Sequence, residues 1–422
     1  MTSAPTTRPL DGVRVLDFTV AVAGPICGFL LSDLGAEVIK VEETNARATA
    51  PGDMPRREGA PDRPYNRLSN FNELNRGKLS VPIDVARPEG RELFLRIGEK
   101  CDIVVENFSP RVVGNLGVDY AAVRARNPGI IYISMPAFGK TGPYADMRSY
   151  GPGIDAMSGL SHLTGYLEGQ PLKPGSFYCD QNAGLHAAFA ALSALYHRRR
   201  TGEGQYIEIP MLEGEIQVIA DALMDAAMNG REQTRIGNRH PSIAPHGVYP
   251  CAGEDQWATI VAADDAQWRA LCRTIGREDL LADPRFATPL DRYHHQDALD
   301  EIIAAWTSVR RKEDVQWVLQ AAGVSAAAVL EMPEMFDDPH MTARGQFEWV
   351  DHPDSTPFPH TRAAFRLSGT PVPVTRTGPM FGGGVSYVMR DLLEIREDEL
   401  DRLIDAGIVA DDRSRMMPVE VD

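Results

Sequence analysis

The sequence predicts an α/β protein with a mostly parallel sheet and a second, smaller α+β domain. Over the first half of the chain, short apolar runs typical of buried strands alternate with stretches of helical periodicity. This alternation is the pattern of a parallel sheet that helices cover on both faces. From about residue 235 the chain becomes rich in turns and the order of the patterns changes, which predicts the second domain. The length of 422 residues is sufficient for two or three large hydrophobic cores.

Strand and helix patterns follow one another in a regular order. The first are a strand at 13–18, a helix at 25–34 that Gly35 ends, and a strand at 37–41. The later members of this series are strands at 79–85, 103–105, 130–135 and 206–210, helices at 88–100, 120–126 and 211–228, and a helical turn near Pro110. The second domain is predicted to contain strands near 247–249 and 257–262 and helices at 265–275 and 297–307.

The predicted domains use both ends of the chain. Residues 1–225 are predicted to form the N-terminal part of the large domain, and residues 235–335 are predicted to form the small domain. Residues 345–422 contain a return linker and the C-terminal part of the large domain, which ends with a predicted helix at 397–406.

The composition excludes several classes of partner. The formal net charge of −16 would repel nucleic acid and anionic membranes, which are polyanions. The N-terminus lacks the apolar core of a signal peptide, and no apolar run approaches the roughly 20 residues of a membrane span. The five cysteines are far apart and include no CxxC, so neither a disulfide framework nor a zinc site is indicated. We therefore expect a cytoplasmic protein with reduced thiols and no metal.

Asp180 stands at the start of the segment 179–205, which is predicted to be a long helix. Asp is a preferred N-cap, because its side chain accepts hydrogen bonds from free amides of the first turn. The same donors and the positive end of the helix dipole lower a carboxylate's pKa and keep it ionised, as a nucleophile requires. The local pattern leaves both roles open. The apolar residues that predict one buried face of this helix are Leu185, Ala188, Phe189, Leu192, Leu195 and Tyr196.

The loops at 19–25, 106–110 and 136–143 follow predicted strands, where open α/β sheets bind ligands. None contains GxGxxG, and no P-loop motif is present. The segment 42–78 contains six arginines, which either form a solvated loop or hold phosphates. The segment 150–175 is rich in glycine and is predicted to be irregular.

Several blocks of the first half resemble the family III CoA-transferases, also called the CaiB/BaiF family. The blocks are LDGVRVLDFTVAVAGP at 10–25, LGAEVIKVE at 34–42, PGD at 51–53, NRGKLSVPID at 75–84, PEGRELF at 88–94, VVENFSP at 104–110 and TGEGQYIEIPMLE at 201–213. The resemblance implies a Rossmann-like large domain, a small domain and a homodimer of interlocked subunits. It also implies that acyl-CoA and carboxylic acids are substrates and that no cofactor is tightly bound.

The resemblance further implies that Asp180 is the catalytic nucleophile, in a helix start of the form D-x-N-x-G-x-H. Attack on an acyl-CoA would give an aspartyl anhydride, and the released thiolate would then give an enzyme-bound CoA thioester. Formyl-CoA transferases that use oxalate have Gln at the position of Val22, which argues against oxalate as acceptor. The residues implied to bind CoA are Val22, Ala23 and Gly24 in the first loop, Asn107 and Phe108 near the nucleotide, and Lys140 and Arg148 near phosphate.

Two alternative functions remain at this stage. An α-methylacyl-CoA racemase would need a second acid or base opposite Asp180. Racemases have that His before the Ser-Gly of the glycine-rich segment, whereas His162 follows it here. The other alternative is a CoA-binding protein without catalysis, in which Asp180 only caps its helix. A patch formed by Arg235, Arg239, His240 and His246 either binds the second carboxylate of a dicarboxylic acid or is a solvated turn.

Overall fold

The computed structural model describes residues 8–47, 51–175, 177–374 and 376–412. Its strands are β1 (Arg14–Phe18), β2 (Glu37–Glu42), β3 (Leu79–Pro82), β4 (Ile103–Glu106), β5 (Ile131–Ser134), β6 (Tyr206–Glu208), β7 (His246–Pro250), β8 (Trp257–Val261), β9 (Ser325–Ala328), β10 (Phe347–Val350) and β11 (Phe358–Thr361). Its helices are α1 (Ala23–Asp33), α2 (Ser69–Leu74), α3 (Pro88–Glu99), α4 (Pro110–Leu116), α5 (Tyr120–Arg126), α6 (Gly151–Ser158), α7 (Leu160–Leu163), α8 (Tyr178–Thr201), α9 (Met211–Val218), α10 (Ala220–Asn229), α11 (Asp265–Thr274), α12 (Pro289–His294), α13 (Gln296–Thr307), α14 (Lys312–Ala321), α15 (Glu334–Asp337), α16 (Pro339–Arg344) and α17 (Glu397–Asp405).

A six-stranded sheet of order β3-β2-β1-β4-β5-β6 contains only parallel pairings. This arrangement confirms the predicted α/β class. The strand order changes direction between β1 and β4, where Phe18 is paired with Glu106 at the carboxyl ends of the two strands. Open α/β sheets bind ligands at such a switch point, because the connections leave the sheet on opposite sides there. The fold therefore places the loops after β1 and β4 side by side.

Successive residues of the sheet contribute to two hydrophobic cores. Leu16 of β1 packs in a core that includes Phe94 of α3 and Val409 near the C-terminal end. Its neighbour Val15 packs on the other face, with residues of α1 and α8. Because both faces are covered, the strands are nearly continuous apolar runs, which made them recognisable in the sequence.

The described parts of Met1–Leu160, Lys173–Leu223 and Ala343–Asp422 form one compact unit. Within it, the C-terminal segment joins the sheet beside β3, where Val409 and Ile83 form a β-bridge. Ser161–Leu172 and Met224–Thr342 form a second unit. This unit contains an antiparallel sheet of order β7-β8-β9, and its own core includes Trp268 and Phe286.

The structure differs from the sequence predictions in one predicted helix and in the predicted return linker. The single helix predicted at 211–228 is divided into α9 and α10, because Ile219 leaves helical geometry. The predicted return linker contains the antiparallel pair β10 and β11. Prolines at 353, 357 and 359 hid this hairpin, since proline is usually confined to sheet edges.

Most arginines of the segment 42–78 have carboxylate partners in the first unit, which favours the structural interpretation of this segment over a phosphate site. Arg76 is almost fully buried and binds Asp33 at 2.7 Å and Glu73 at 2.8 Å. The other pairs are Arg47 with Glu42, Arg57 with Asp351, Arg63 with Asp412 and Arg67 with Asp62.

Among the helices in the described parts of the chain, none combines the length and the apolar character that crossing a membrane requires.

Candidate functional site

Two loops meet at the switch point of the sheet. The side-chain amide of Asn107, in the loop after β4, donates to the carbonyl oxygen of Val20 at 2.9 Å. In return, Oδ1 of Asn107 accepts from the amide of Val20 at 2.8 Å. The side chain of Asn107 thus hydrogen-bonds with both backbone groups of Val20, so the loop after β1 is held in one conformation relative to β4.

A buried charge cluster lies beneath the loop after β1. Nζ of Lys78 is 2.7 Å from Oδ2 of Asp17 and also donates to the carbonyl oxygen of Pro25 at 3.0 Å. Nζ of Lys40 donates to the carbonyl oxygen of Thr19 at 2.8 Å. Despite burial, the two lysine ammonium groups hold the pKa of Asp17 below its ordinary value. Lys40 therefore binds the backbone of the loop, Lys78 binds the backbone at the start of α1, and both lysines pair with the buried carboxylate of Asp17 in β1.

Asp180 lies in the first turn of α8, two residues after the helix begins at Tyr178. The predicted role of Asp180 as N-cap is wrong, because the cap position belongs to Phe177 and no side chain caps the helix. Asp180 is 8% exposed. Burial raises the pKa of its carboxyl above the ordinary value, and the charge of Asp155 acts in the same direction, whereas Cys179 and the backbone amide of Ala23 lower it. The expectation of a net lowering by the helix start is therefore also wrong.

The carboxyl group of Asp180 packs against the backbone of Gly151, the first residue of α6. A β-carbon on Gly151 would lie 2.5 Å from Oδ2 of Asp180 and 3.1 Å from Sγ of Cys179. Sγ of Cys179 donates to the same Oδ2 at 3.5 Å. Only glycine leaves room for this contact. The predicted irregular segment after residue 150 is thus partly wrong, since it contains α6 and α7.

Asp180 lines a cavity of about 340 Å³ at the carboxyl edge of the sheet. Tyr150, Ser149 and Arg148 line it from the segment before α6, and Met211 lines it from the start of α9. The remaining lining residues are Val20, Ala21, Asn107, Phe108, Ser109, Pro110, Met135, Ala137, Phe138, Ala145, Met147, Gly151 and Ile154.

A second cavity, of about 530 Å³, lies over the carboxyl ends of β1, β2 and β3. It shares Val20, Ala21 and Phe108 with the cavity of Asp180, so the two cavities meet at the loop after β1. Polar side chains that line it include Lys40 and Arg47. The Arg47 guanidinium lies over the ring of Phe71, 3.9 Å from its centroid. Together the cavities can hold an elongated ligand that has one end at Asp180.

The residues predicted to bind CoA fall into two groups. Asn107, Phe108 and Arg148 line the cavity of Asp180. The other predicted residues, Val22, Ala23, Gly24 and Lys140, do not line either of the two cavities. Val22 and Ala23 are buried at the start of α1, and Lys140 lies over Tyr206, with its Nζ 4.7 Å from the ring centroid.

Gly24 allows the first loop to fold back onto α1. A β-carbon there would lie 2.4 Å from Cβ of Thr19 and 3.1 Å from Cγ of Asn107. The close approach that Gly24 permits is therefore made to protein side chains. Val20 and Ala21, which precede Gly24, line the cavity instead, and Ala21 has a positive φ of 59°.

The predicted buried face of α8 is wrong for most of its large residues. Phe189 is 72% exposed and Tyr196 is 65% exposed, and Leu185 and Leu192 are exposed as well. The side of α8 that packs in the core consists mainly of small residues, and a β-carbon on Gly184 would lie 2.6 Å from Cβ of Ile26. Such a surface lets α8 approach α1 closely, which large side chains would prevent.

Two further carboxyl groups near Asp180 were not assigned from the sequence. Asp155 of α6 and Glu215 of α9 are both buried. The negative charge of Asp155 raises the pKa of Asp180, and the charge of Asp180 raises the pKa of Glu215. One signal was available for Glu215, because it follows Met211 by four residues and therefore lies on the same side of α9. Within the described residues, no group of three or more His, Cys, Asp or Glu side chains is placed to hold a metal ion.

The histidine and the basic patch considered in the sequence belong to the second compact unit. Nε2 of His162 is 3.5 Å from a carboxylate oxygen of Glu232. Arg239 is bound by Asp297 and, at 3.0 Å, by Asp300. These two carboxylates make Arg239 part of an internal ion-pair network, which favours a structural role over binding of a substrate carboxylate.

Comparisons with known proteins agree along the whole chain. The model of CoA-transferase family III matches residues 10–384. The succinyl-CoA–D-citramalate CoA-transferase of Chloroflexus aurantiacus is 38% identical over 403 residues, which cover 96% of this chain and 98% of that protein. The succinate–glutarate CoA-transferase of Agrobacterium fabrum is 35% identical over 398 residues, covering 93% and 98%. The crystal structure of a CaiB/BaiF family protein from Brucella suis, 32% identical, matches with a TM-score of 0.83 over 92% of this chain and 100% of that chain.

Proposed function

Because this chain belongs to CoA-transferase family III, we propose that Asp180 is the nucleophile through which it moves CoA from an acyl-CoA to a free carboxylic acid. The chain is an acyl-CoA:carboxylate CoA-transferase, and CoA thioesters are its substrates. The observation that carries the proposed role of Asp180 is its position. Its carboxylate lines the cavity at the switch point of the sheet and is held against Gly151.

The proposed reaction exchanges one thioester for another in covalent steps. The Asp180 carboxylate attacks the thioester carbonyl, the C–S bond breaks, and an aspartyl anhydride and CoA thiolate result. The thiolate attacks the Asp180 carbonyl, which releases the donor acid and leaves an aspartyl-CoA thioester. The acceptor carboxylate then attacks this thioester, and the thiolate attacks the acceptor carbonyl of the new anhydride, which restores the Asp180 carboxylate. One thioester is exchanged for another, so no ATP is required.

The two adjoining cavities support the proposed route for CoA. Their combined shape suits a long ligand whose thiol end reaches Asp180 while its nucleotide lies over β1, β2 and β3. Phe108 lines both cavities, and Arg148 offers an exposed cation at the rim of the cavity that contains Asp180. We therefore retain Asn107, Phe108 and Arg148 as CoA contacts and add Val20 and Ala21. For Val22, Ala23, Gly24 and Lys140 the proposed role becomes support of this surface.

Dicarboxylic acids are the proposed substrate class. The names of the relatives given above contain succinyl-CoA and D-citramalate, or succinate and glutarate, and the free acids succinate, D-citramalate and glutarate each have two carboxyl groups. A transferase with this specificity exchanges CoA between acids of similar size. We propose succinyl-CoA as the first donor to test.

Proton transfer at carbon two, as in a racemase, is less well supported by the cavity. This reaction needs an acid or base on each side of the substrate carbon. Among the described residues that line the cavity, Asp180 is the one carboxylate, and no histidine is present. Tyr150 and Arg148, which also line it, are a phenol and a guanidinium, and the guanidinium has no acceptor atom for a proton.

We also propose that the enzyme is a cytoplasmic homodimer. The exposed apolar side chains of α8, including Phe189 and Tyr196, form a surface that a second copy of the chain would cover. All five cysteines are free thiols, which fits a reducing compartment. Sedimentation of the wild type and of Phe189→Glu tests the dimer, and a wild-type monomer would contradict it.

The proposed nucleophile is tested by measuring CoA transfer from succinyl-CoA to a panel of dicarboxylic acids. We expect Asp180→Asn to lose transfer by roughly 10⁴-fold or more while it still binds CoA. The matched control is Asp221→Asn, which removes an exposed carboxylate from α10 and should transfer CoA like the wild type. Wild-type rates in Asp180→Asn would overturn the role of Asp180. Deuterium exchange at carbon two without transfer would instead indicate a racemase.

A further inference from the structure

Glu215 is a buried acidic residue that the proposed reaction does not use. Its side chain is 0% exposed, and neither carboxyl oxygen has a hydrogen-bond partner. A buried carboxylate without donors is strongly disfavoured, whereas the neutral acid is tolerated more easily. Its position next to the proposed nucleophile therefore requires an explanation.

Three helices bring three carboxyl groups together around the start of α8. The amide of Asn182 on α8 donates to the carbonyl oxygen of Gly214 on α9 at 2.9 Å, immediately before Glu215. Asp155, 2% exposed, belongs to α6, whose first residue Gly151 contacts Asp180. Oδ1 of Asp155 also lacks a hydrogen-bond partner. The environment thus provides few donors for several potential negative charges.

The charges around Glu215 act mainly in one direction. Burial, followed by the negative charge of Asp155, raises the pKa of Glu215 to about 7, and Asp180 adds to this effect. The nearby amide of Asn182 opposes it, although this amide donates to the carbonyl oxygen of Gly214 and not to the carboxyl group. Burial likewise raises the pKa of Asp155, which Cys179 and Lys173 partly counteract.

Other described residues also lie close to α9. His186 on α8 approaches it, since its Nδ1 would lie 3.3 Å from a β-carbon on Gly214. The loop that receives the amides of Met211 and Leu212 contributes Pro136 and Ala137, which do not titrate. Glu215, with its pKa raised to about 7, is therefore largely protonated below that pH.

We propose that Glu215 is a positioning residue, which remains a neutral carboxylic acid so that anionic reactants can reach the carbonyl carbon of Asp180. This inference rests on the proposed role of Asp180 as nucleophile. In that reaction, CoA thiolate and the acceptor carboxylate both attack the acylated Asp180, and each attack places negative charge on its carbonyl oxygen. A negative charge on Glu215, in addition to that of Asp155, would repel both the attacking anion and the oxyanion that its attack forms. A neutral Glu215 removes this repulsion without being in contact with substrate.

The test is the pH dependence of kcat/KM for the acceptor acid, at a fixed acyl-CoA concentration, between about pH 6 and about pH 9. We expect the wild-type value to fall above about pH 7, by up to roughly tenfold per pH unit, as Glu215 loses its proton. Glu215→Gln keeps the shape and the neutral state, so its profile should remain flat over the same range. Glu213→Gln is the matched control, because it removes an exposed charge from the same helix and should keep the wild-type profile.

A second variant keeps the test decisive if Glu215→Gln does not fold. Asp155→Asn removes a negative neighbour, so Glu215 should lose its proton more readily and the fall should begin at lower pH. An unchanged decrease in Glu215→Gln, or an unmoved one in Asp155→Asn, would overturn the inference. Such a result would leave the proposed function intact as long as Asp180→Asn abolishes transfer. Transfer that survives in Asp180→Asn would instead remove the proposed function itself.

Discussion

Gly151 and Asp180 are in contact across the start of two helices, such that a β-carbon on Gly151 would lie 2.5 Å from Oδ2 of Asp180. This distance is shorter than any real contact of a β-carbon, so either the carboxylate or α6 would have to move. The lack of a β-carbon at Gly151 therefore determines the direction in which the carboxylate of Asp180, the proposed nucleophile, points.

Gly151→Ala should impair catalysis far more than folding. A displacement of the carboxylate by about 1 Å can reduce the rate roughly 100-fold, because the reacting atoms lose alignment. We expect that loss in kcat/KM, with a small change in the melting temperature. Gly114→Ala is the control, since a β-carbon at this exposed helical position meets nothing within 4 Å. Equal activity of the two variants would show that Asp180 does not depend on Gly151.

Gly184→Ala should destabilise the fold by separating α8 from α1. The added β-carbon would lie 2.6 Å from Cβ of Ile26 and 2.8 Å from the carbonyl oxygen of Ala23. Overpacking of this kind costs about 1–3 kcal/mol. Urea denaturation should show this decrease in the free energy of unfolding relative to Gly114→Ala. A variant as stable as the wild type would mean that the two helices can move apart at no cost.

Lys78→Met should destabilise the protein because it leaves the carboxylate of Asp17 buried without its closest cation. Removal of one partner from a buried ion pair costs about 3–5 kcal/mol. The start of α1, which follows the loop after β1, should also lose its hydrogen bond from Lys78 to the carbonyl oxygen of Pro25, so CoA binding should weaken. Lys100→Met, at an exposed position, should change the free energy of unfolding by less than about 0.5 kcal/mol. Similar stabilities of the two variants would exclude this role of Lys78.

His352 should make the protein less stable in mild acid. Burial lowers its pKa below the ordinary 6.5, although the charge of Asp354 opposes this effect, while Arg57 and His360 support it. The unfolded chain then binds a proton that the folded protein excludes. Stability is therefore lost as pH falls below about 6.5.

The variant His352→Asn keeps an acceptor for the amide of Asp354, which donates to Nδ1 of His352 at 3.0 Å. We expect a smaller dependence of the free energy of unfolding on pH between about pH 5 and about pH 6.5 than in the wild type. The control His340→Asn changes an exposed histidine and should keep the wild-type slope. The same slope in His352→Asn as in the wild type would contradict the role of His352.

The fold of the large unit was largely readable from the sequence because its strands are buried on both faces. Residues such as Val15, Leu16 and Ile39 form short apolar runs that helical segments separate. The position of Asp180 at a helix start was also correctly identified. Its environment was not, because its effective partners, Gly151, Cys179 and Asp155, come from another helix or face it only after folding.

The differences at α8 and Glu215 have one physical cause, because large apolar side chains predict a buried helix face and charged side chains predict an exposed position. On α8 the core side is formed by residues such as Ala187 and Ala191, while Phe189 points outward. Glu215 had the charge of a surface residue and yet is fully buried. Such reversals arise where a close helix contact or a functional group is more important than local preference.

The most direct test of the central claim is to follow oxygen atoms with an acceptor acid labelled with oxygen-18. If Asp180 is the nucleophile, one labelled oxygen of the acceptor should remain on Asp180 after turnover and leave with the donor acid in the next cycle. Mass spectrometry should therefore find the label in the peptide that contains Asp180 and in the released donor acid. Label that passes to the donor acid within a single turnover, with none in Asp180, would show that the two acids exchange the oxygen directly and would contradict the proposed mechanism.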